Sequence, residues 1–331
     1  MTIEATVFKG SANSGIVEAK SILQNPTGTK VLVRVTHSGI CGTDEHHKHL
    51  DMVLGHEGVG VVQEIGDGVR AFAVGDVVGW GYIHKTCGRC VHCLKGEDNY
   101  CRTDIEMYGY HNLNQGSFGS HAVWDESYLF KIPAGLAPEY AAPLMCGGAT
   151  VFQVIEEFKI RSIDRVGVIA LGGLGHMAVQ FLVKMGAEVV AFSSTHAKRE
   201  EALSLGAKEF FATKGVDKFD TKPLDHLLVT TNAIPDWAPY LSIMKCKGVI
   251  YPLCVDSSNL VFPMMAVLMS GLTIQGSTVA NRSIQHRMLE FAARHEIKPL
   301  IERFPLTKNG VEDGMQKLRE GKVRYRAVLV A

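Results

Sequence analysis

Short valine-rich runs closed by glycine dominate the first part of the chain. Runs at residues 31–35, 59–62 and 74–78 have the length and the bounding turn residues that are typical of β-strands. No long stretch with a helical hydrophobic period interrupts them before about residue 145. The pattern therefore predicts an irregular, mostly β domain at the start of the chain.

The pattern changes near Ala141, where apolar runs begin to alternate with amphipathic stretches. Strands are predicted at 166–171, 189–192, 227–230 and 249–253, and helices at 177–185 and 198–205. Repetition of strand and helix at this pitch predicts a parallel sheet with helices on both faces. The tail adds predicted helices at 284–293 and 311–318 and a last strand at 327–330.

An uncharged run at 257–281 resembles a membrane span in composition only. Pro263, Gly271 and Gly276 cut its apolar part below the ~20 residues that a bilayer requires. We interpret it as a buried strand and helix, and we expect no membrane association. The N-terminal segment carries Glu4 and Lys9 where a secretory signal would be apolar, so a cytoplasmic location is expected.

Length and charge narrow the class of protein. A chain of 331 residues is expected to form about two domains, at roughly 150 residues each. Lysine and arginine total 34, and aspartate and glutamate also total 34, so the formal net charge is zero. Nothing in this balance attracts polyanions, and neither nucleic acid nor an acidic membrane is an expected partner.

A glycine-rich turn follows the strand at 166–171 and opens a helix. In this context Gly172 and Gly173 let the backbone approach a pyrophosphate, and Leu174 and Gly175 lead into the helix, whose free N–H groups attract the anion. Ala170 stands where the usual pattern has its first glycine, and only a requirement for positive φ would exclude alanine there. A plain tight turn is the alternative interpretation.

The end of the next strand bears on which dinucleotide binds. An acid there would favour NAD, but the chain has Ser193, Ser194 and Thr195, followed by Lys198 and Arg199. Hydroxyls and cations can bind a 2′-phosphate through charge-assisted hydrogen bonds, which predicts a preference for NADP(H) over NAD(H). The alternative is that Ser194 or Thr195 merely caps a helix whose first turn is basic.

The eight cysteines are expected in a reducing compartment, where clustered thiols are more often metal ligands or nucleophiles than disulfides. Four of them, Cys87, Cys90, Cys93 and Cys101, lie within one short loop. Four thiolates complete a tetrahedral shell, so we predict a structural zinc site. A nucleic-acid-binding zinc ribbon is disfavoured by the zero net charge.

A second set of candidate ligands is dispersed over Cys41, His56 and Cys146. Catalytic zinc needs three protein ligands and an open position. Spacing alone cannot join residues so far apart, and each of them taken singly is more often a packed core residue.

Several stretches together resemble one family. They appear in family order over nearly the whole chain, at residues 39–44, 55–60, 87–101, 143–148, 171–178, 193–195 and 323–326. On these residues the sequence resembles the zinc-containing medium-chain alcohol dehydrogenases, and within them the NADP-dependent cinnamyl alcohol dehydrogenase group.

The resemblance implies a role for each matching residue around a catalytic zinc. Cys41, His56 and Cys146 match the zinc ligands. Glu57 matches the acid behind the metal, and Asp44 matches the carboxylate that orients the histidine ligand.

The remaining matches concern proton transfer and the cofactor. Thr43 matches the hydroxyl that bonds the substrate oxygen, and His46 matches the end of a proton relay to solvent. His47 and His49 are close enough in sequence to leave that last assignment open, and a solvated histidine without a role is the alternative. Arg326, in the final matching stretch, is expected among the cofactor contacts.

The resemblance also implies the architecture and the reaction. It implies an α/β protein with a mostly β GroES-like catalytic domain, at 1–147 and 281–331, and a doubly wound Rossmann cofactor domain at 148–280. It implies two zinc ions per subunit and a homodimer, with a tetramer as the alternative. The reaction would be reversible NADP(H)-linked hydride transfer between primary alcohols and aldehydes, aromatic or medium-chain, with cinnamyl-type substrates expected.

Two rival functions remain, and the sequence departs from the family pattern in one further stretch. A polyol dehydrogenase of the same superfamily is the nearest rival, and a non-catalytic zinc- and nucleotide-binding sensor is a rival from another class. The stretch between His46 and Gly55 is shorter than in most relatives, which predicts a more open substrate pocket.

Overall fold

The computed structural model describes residues 2–13, 15–231, 233–255 and 259–331. The chain divides into two compact units, one formed by Met1–Ala149 with Val279–Ala331 and the other by Thr150–Thr278. The predicted boundaries, at 147/148 and 280/281, lie close to these. Each unit has its own sheet and is described by itself.

The strands are short in both units, and most are bounded by turns. In chain order they are β1 Thr2–Lys9, β2 Val17–Gln24, β3 Lys30–Ile40, β4 Gly58–Ile65, β5 Val77–Trp80, β6 Ile83–Lys85, β7 Glu106–Met107, β8 His121–Asp125, β9 Phe130–Lys131, β10 Arg165–Ile169, β11 Glu188–Ser193, β12 Glu209–Ala212, β13 Leu224–Val229, β14 Met244–Pro252, β15 Thr273–Ile274, β16 Ile301–Pro305 and β17 Arg326–Val330.

The longer helices lie in the second unit and in the tail. In chain order the helices are α1 Gly42–His47, α2 Val91–Leu94, α3 Pro138–Pro143, α4 Ala149–Glu157, α5 Gly175–Lys184, α6 Arg199–Ser204, α7 Trp237–Leu241, α8 Met264–Ser270, α9 Arg282–Arg294 and α10 Lys308–Arg319. Short 3-10 turns lie at Asp98–Tyr100, Glu126–Tyr128 and His196–Lys198, and a π turn lies at Leu144–Gly148.

The first unit is built on a seven-stranded sheet. Its order is β16-β17-β3-β4-β5-β9, and β8 also pairs with β3. Only Lys30 and Arg34 of β3 are exposed, and the successive residues Val31 to Val33 are all buried, so both faces of this strand are largely covered. Because β17 runs antiparallel to β3, the tail of the chain returns to the first unit, as the resemblance implied.

The second unit is a six-stranded parallel sheet in the order β12-β11-β10-β13-β14-β15. Every residue of β10 is buried, which is typical of a central strand covered by helices on both faces. The chain turns from β10 into α5 at the carboxyl edge of the sheet, next to the point where the strand order reverses. This edge is where doubly wound sheets bind their ligands.

The strand predicted at 74–78 begins three residues late. Gly75 has φ 95°, which places it in a turn, and the side chain of Val74 is 63% exposed. The strand β5 therefore starts at Val77, after this turn. Valine-rich composition marked the region correctly but not the residue at which pairing starts.

The interpretation of 257–281 as a buried strand and helix is wrong about burial. Ser257 and Ser258 lie outside the described residues. The helix α8 has no buried residue, and its Met264, Leu268 and Met269 are 74%, 65% and 78% exposed. β15 is also exposed, at the edge of its sheet. No helix in the described part of the chain has the length and hydropathy to cross a bilayer.

Candidate metal and nucleotide sites

Cys41 and Asp44 are fixed relative to each other by the first turn of α1. β3 ends at Ile40, and Cys41 is the residue from which the helix starts. Its backbone N–H donates to Oδ2 of Asp44 at 2.8 Å, which closes the turn. The hydroxyl of Thr43 lies 3.7 Å from the sulfur of Cys41. A six-residue helix thus places a thiol, a hydroxyl and a buried carboxylate together.

Cys41, His56, Glu57 and Cys146 converge within the first unit. One ligand atom from each of these side chains lies within 4.8 Å of the others. His56 and Glu57 directly precede β4, and Cys146 lies in the π turn at Leu144–Gly148. Residues that are dispersed in the sequence therefore form one cluster of soft and hard metal-binding atoms.

The imidazole of His56 is oriented by Asp44. Its Nδ1 lies 3.0 Å from Oδ1 of Asp44, and both side chains are fully buried. Its Nε2 is also buried and lacks a well-aligned hydrogen-bond partner among the described residues. An imidazole held by a carboxylate on one nitrogen, with the other nitrogen unused, is the usual arrangement of a metal ligand.

The electrostatics of the cluster favour a cation. A hydrogen bond from Cys146 lowers the pKa of Cys41, and the same bond together with burial raises the pKa of Cys146. Burial also raises the pKa of Glu57 to about 7. Without a cation only one thiol ionises readily, whereas a divalent ion stabilises both thiolates. The donor set of two sulfurs and one imidazole fits zinc with a position left open.

Arg326 lies behind this cluster, on β17. Its guanidinium is buried and hydrogen-bonds to both carboxylate oxygens of Glu57. Arg326 is thus a hydrogen-bond partner of Glu57. The expected contact of Arg326 with the cofactor stays a prediction.

The three histidines considered for proton transfer differ in environment. His46 is exposed on α1, whereas His47 is half-buried and its Nδ1 lies 2.8 Å from the carbonyl oxygen of Thr43. The ring of His47 also faces Tyr108 at a centroid distance of 5.4 Å. His49 is exposed beyond the end of α1. Of His46 and His47, His46 is therefore the one that is exposed to solvent.

The four-cysteine loop has the dimensions of a zinc site. Neighbouring sulfur atoms of Cys87, Cys90, Cys93 and Cys101 are 3.6 to 3.9 Å apart. Four sulfurs at the usual Zn–S distance around one ion would be about 3.8 Å apart. The N–H of Cys90 donates to the sulfur of Cys87 at 3.3 Å, as expected for a thiolate. All four positions are taken by protein, so no substrate position remains.

A cavity of about 490 Å³ lies at the carboxyl edge of the parallel sheet, within the second unit. Of the predicted nucleotide-binding residues, it is lined by Gly172, Ser193, Ser194 and Lys198. The other predicted residues, Gly173, Leu174, Gly175, Thr195 and Arg199, are not part of its lining. Its lining combines buried apolar side chains, among them Phe192 and Tyr240, with polar ones, including Asp217 and Asp236.

Three predicted phosphate contacts have other partners. Nζ of Lys198 donates to the carbonyl oxygen of Leu171 at 2.6 Å, and so bridges the glycine turn. Thr195 caps the turn at His196–Lys198 by accepting from the N–H of Ala197 at 3.4 Å. The alternative interpretation as a helix cap therefore describes Thr195. Arg199 is exposed, and its guanidinium reaches the carbonyl oxygen of Phe210 at 3.5 Å.

Ala170 is under more strain than the sequence suggested. Its φ is 70°, in the left-handed region that favours glycine. The conformation that would exclude alanine is the one that it adopts. The hydroxyl of Thr230 donates to the carbonyl oxygens of Ile169 and Ala170, each at 2.8 Å, which holds the turn in this shape.

Comparisons with known proteins agree with this arrangement. The alcohol dehydrogenase GroES-like domain model matches residues 27–134, and the zinc-binding dehydrogenase model matches residues 173–294. Cinnamyl alcohol dehydrogenase 8 of Arabidopsis thaliana is 32% identical over 98% of this chain and 95% of its own length. This chain belongs to the zinc-containing medium-chain alcohol dehydrogenases.

Two further relatives of this alcohol dehydrogenase bear on cofactor and substrate. A probable mannitol dehydrogenase of Mesembryanthemum crystallinum is 33% identical over 96% of this chain and 91% of its own length. The structure of a cinnamyl alcohol dehydrogenase from Helicobacter pylori complexed with NADP(H) superimposes with a TM-score of 0.89. It is 26% identical and covers 100% of this chain and 99% of its own.

Sequence reasoning missed part of the surroundings of the dehydrogenase cluster. Tyr82 and Tyr108 both contact the ring of His56, with centroid distances of 5.7 and 4.5 Å. Neither tyrosine lies in a segment of metal-ligand spacing, and a single sequence carries no signal that would have marked them.

Proposed function

We propose that this dehydrogenase catalyses reversible NADP(H)-linked hydride transfer between primary alcohols and aldehydes. The observation that carries the proposal is the cluster of Cys41, His56 and Cys146 with the hydroxyl of Thr43 beside it. A purely structural metal site would need a fourth protein ligand, and Glu57 is already bonded to Arg326.

Cys41, His56 and Cys146 would hold zinc, and Cys87, Cys90, Cys93 and Cys101 would hold a second, structural zinc ion. When bound at the first cluster, zinc supplies a Lewis acid that polarises a carbonyl oxygen. Asp44 keeps His56 in the tautomer that presents Nε2 to the ion. Glu57 would approach the ion only during ligand exchange, and it would then give up its hydrogen bonds to Arg326.

Side chains of the protein itself would transfer the proton that the reaction needs. In the reductive direction an aldehyde, NADPH and one proton give an alcohol and NADP⁺, with hydride supplied by the nicotinamide. Thr43 would donate its hydroxyl proton to the oxygen of the nascent alcohol and recover one from solvent through His46. The exposure of His46 supports this role, because a relay must end in water.

The residues that line the nucleotide cavity at the end of β11 support the proposed preference for NADP(H). Ser193, Ser194 and Lys198 line it without an acidic residue at the end of β11, and a solved relative carries NADP(H). We expect Lys198→Ala to raise KM for NADPH by about 10-fold or more, since a charge-assisted hydrogen bond contributes roughly 1.5–3 kcal/mol. KM for NADH should change little. The matched control is Lys184→Ala, which removes an exposed lysine of the same unit.

For the substrate, we propose aromatic or medium-chain aldehydes of the cinnamyl type. The mannitol dehydrogenase relative keeps a polyol substrate as the second candidate. Initial rates with cinnamaldehyde, benzaldehyde, short aliphatic aldehydes and mannitol separate the two. Higher kcat/KM with mannitol and NADP⁺ than with any simple alcohol would overturn the first candidate. Nucleotide binding without turnover of any substrate would favour the non-catalytic sensor.

The metal assignment is tested by removing one ligand. Cys41→Ser should abolish turnover and lower the zinc content from two ions per subunit to one, while NADPH binding persists. Cys246→Ser, which removes an exposed thiol, is the control and should retain both ions and activity. Full activity of Cys41→Ser, or a single zinc ion in the active wild-type protein, would remove the catalytic site.

We also propose a homodimer formed through the cofactor-binding unit. The exposed apolar residues of α8 and the edge strand β15 lie side by side in sequence, and such an edge is a template for pairing with a second copy. Met269→Lys should shift the mass measured by light scattering toward the monomer. Ile163→Lys, at an equally exposed apolar residue of the same unit, should not.

A further inference from the structure

Tyr108 occupies a buried position beside His56 of the metal cluster. It follows β7, and its side chain is 1% exposed. Its ring lies against the imidazole of His56, with 4.5 Å between centroids and 32° between planes. Its hydroxyl oxygen accepts a hydrogen bond from the N–H of Gly55, the residue before His56, at 3.1 Å. One side chain thus contacts the ring of the histidine and the backbone of the residue before it.

The N–H of Gly55 also lies 3.3 Å from Oδ1 of Asp44, so this carboxylate and the hydroxyl oxygen of Tyr108 share one donor. The Asp44 carboxylate is already bonded to the N–H of Cys41 at 2.8 Å and to Nδ1 of His56 at 3.0 Å. Because the oxygen of Tyr108 accepts from Gly55, its O–H is available to donate to that carboxylate.

The loop that carries Tyr108 has little freedom to move. The backbone N–H of Tyr108 donates to the carbonyl oxygen of Tyr82 at 2.9 Å. Gly109 has φ 85°, and a Cβ there would lie 2.2 Å from Nε2 of His47. The loop is therefore pinned against α1, the helix that supplies Asp44.

We propose that Tyr108 is a positioning residue for the catalytic metal. Its hydroxyl fixes Asp44, its ring limits rotation of His56, and together they preset Nε2 of His56 toward the ion. The inference rests on the proposed function, since it needs a metal at Cys41, His56 and Cys146. The competing interpretation is a core tyrosine that merely satisfies the N–H of Gly55, which would affect stability but not the metal.

The test is Tyr108→Phe, which removes one oxygen and keeps the ring. The readout is the rate at which each zinc ion is released to a coloured chelator, with the four-cysteine site as an internal reference. We expect release from the catalytic cluster to be about 10-fold faster, as for other outer partners of metal ligands, and release from the structural site to be unchanged. The visible absorption bands of the cobalt-substituted protein should also shift, because the imidazole changes its orientation.

Tyr82→Phe is the matched control. Its ring also contacts His56, at 5.7 Å and 84°, but its hydroxyl is not placed on Asp44. We expect release and cobalt spectrum in this variant to match those of the wild type. Unchanged release and spectrum in Tyr108→Phe, or equally faster release from both zinc sites, would overturn the proposal. Failure of the proposed function would be visible in the wild type itself, as a single zinc ion per subunit.

Discussion

The carbonyl oxygen of Ala170 occupies the space that a side chain at Gly175 would need, since a Cβ there would lie 1.9 Å from it. The close approach follows from the left-handed backbone of Ala170, which turns this carbonyl toward the start of α5. Thr230, which directly follows the adjacent strand β13, donates a hydrogen bond to this carbonyl. The glycine turn is thus defined as much by its first residue, which is not glycine, as by the glycines that follow.

Ala170→Gly should stabilise the protein. A non-glycine residue at positive φ costs of the order of 1–2 kcal/mol, and the greater freedom of glycine in the unfolded chain offsets part of the gain. We expect a net gain of about 0.5–1 kcal/mol and a melting temperature about 1–3 °C higher. Ala191→Gly, in the buried strand β11, is the control and should lower it. A decrease in both variants would contradict the strain at Ala170.

Gly172 and Gly175 should respond differently to alanine. A Cβ at Gly175 would meet the carbonyl of Ala170 and the hydroxyl of Thr230, whereas a Cβ at Gly172 meets nothing within 4 Å. Gly175→Ala should therefore lower both the melting temperature and the affinity for NADPH. Gly172→Ala should lower the affinity alone, because its side chain would stand in the nucleotide cavity. Calorimetric titration and thermal melting measure the two quantities, and equal losses of stability would contradict the difference.

Cys93→Ser should lower stability more than activity per folded molecule. The sulfur of Cys93 is 3.8 Å from that of Cys87 and 3.6 Å from that of Cys90, so its loss opens the four-thiolate shell. We expect the melting temperature to fall on the order of 5 °C or more and one zinc ion per subunit to be lost. The thiol of Cys246 is exposed and lies in the other unit, so Cys246→Ser should melt like the wild type. An unchanged melting temperature in Cys93→Ser would count against a structural ion.

The sequence could predict those features of the sites that are set by residues close together in the chain. The four cysteines of the loop and the turn after β10 are set by neighbours in sequence, and spacing sufficed to find them. Cys41, His56 and Cys146 are joined only by the folding of β3, β4 and the π turn, so a resemblance was needed to group them. The φ of Ala170 depends on Thr230, sixty positions away in the chain, and no local rule could supply it.

Burial was the least predictable property. The apolar composition of α8 is that of a core helix, yet none of its residues is buried. The expectation that the segment 257–281 is buried rested on its hydropathy. Hydropathy indicates that a surface is apolar, but it does not indicate which element covers that surface. Tyr108 shows the reverse case, since its burial against His56 is set by a loop that hydropathy does not mark.

His84 should make stability depend on pH in a defined window. Its ring is buried against Trp124, with 4.2 Å between centroids, and burial lowers its pKa to about 3. The ordinary value of 6.5 applies once the chain unfolds, so below that pH the unfolded state binds a proton that the native state does not. The contribution of His84 is therefore complete above pH 6.5 and is lost as the pH falls toward 3.

The loss should amount to about 1.4 kcal/mol for each pH unit while the unfolded chain is protonated and the native chain is not. His84→Phe keeps an aromatic ring against Trp124 and removes the titrating group. Urea unfolding of both proteins between pH 6.5 and 5.5, with pH 8 as the reference where imidazole is neutral in both states, measures the difference in slope. The variant should show the shallower dependence, because the other ionising groups are the same in both proteins. Parallel slopes would mean that His84 is protonated equally in the folded and unfolded chain, and its burial would then have no electrostatic cost.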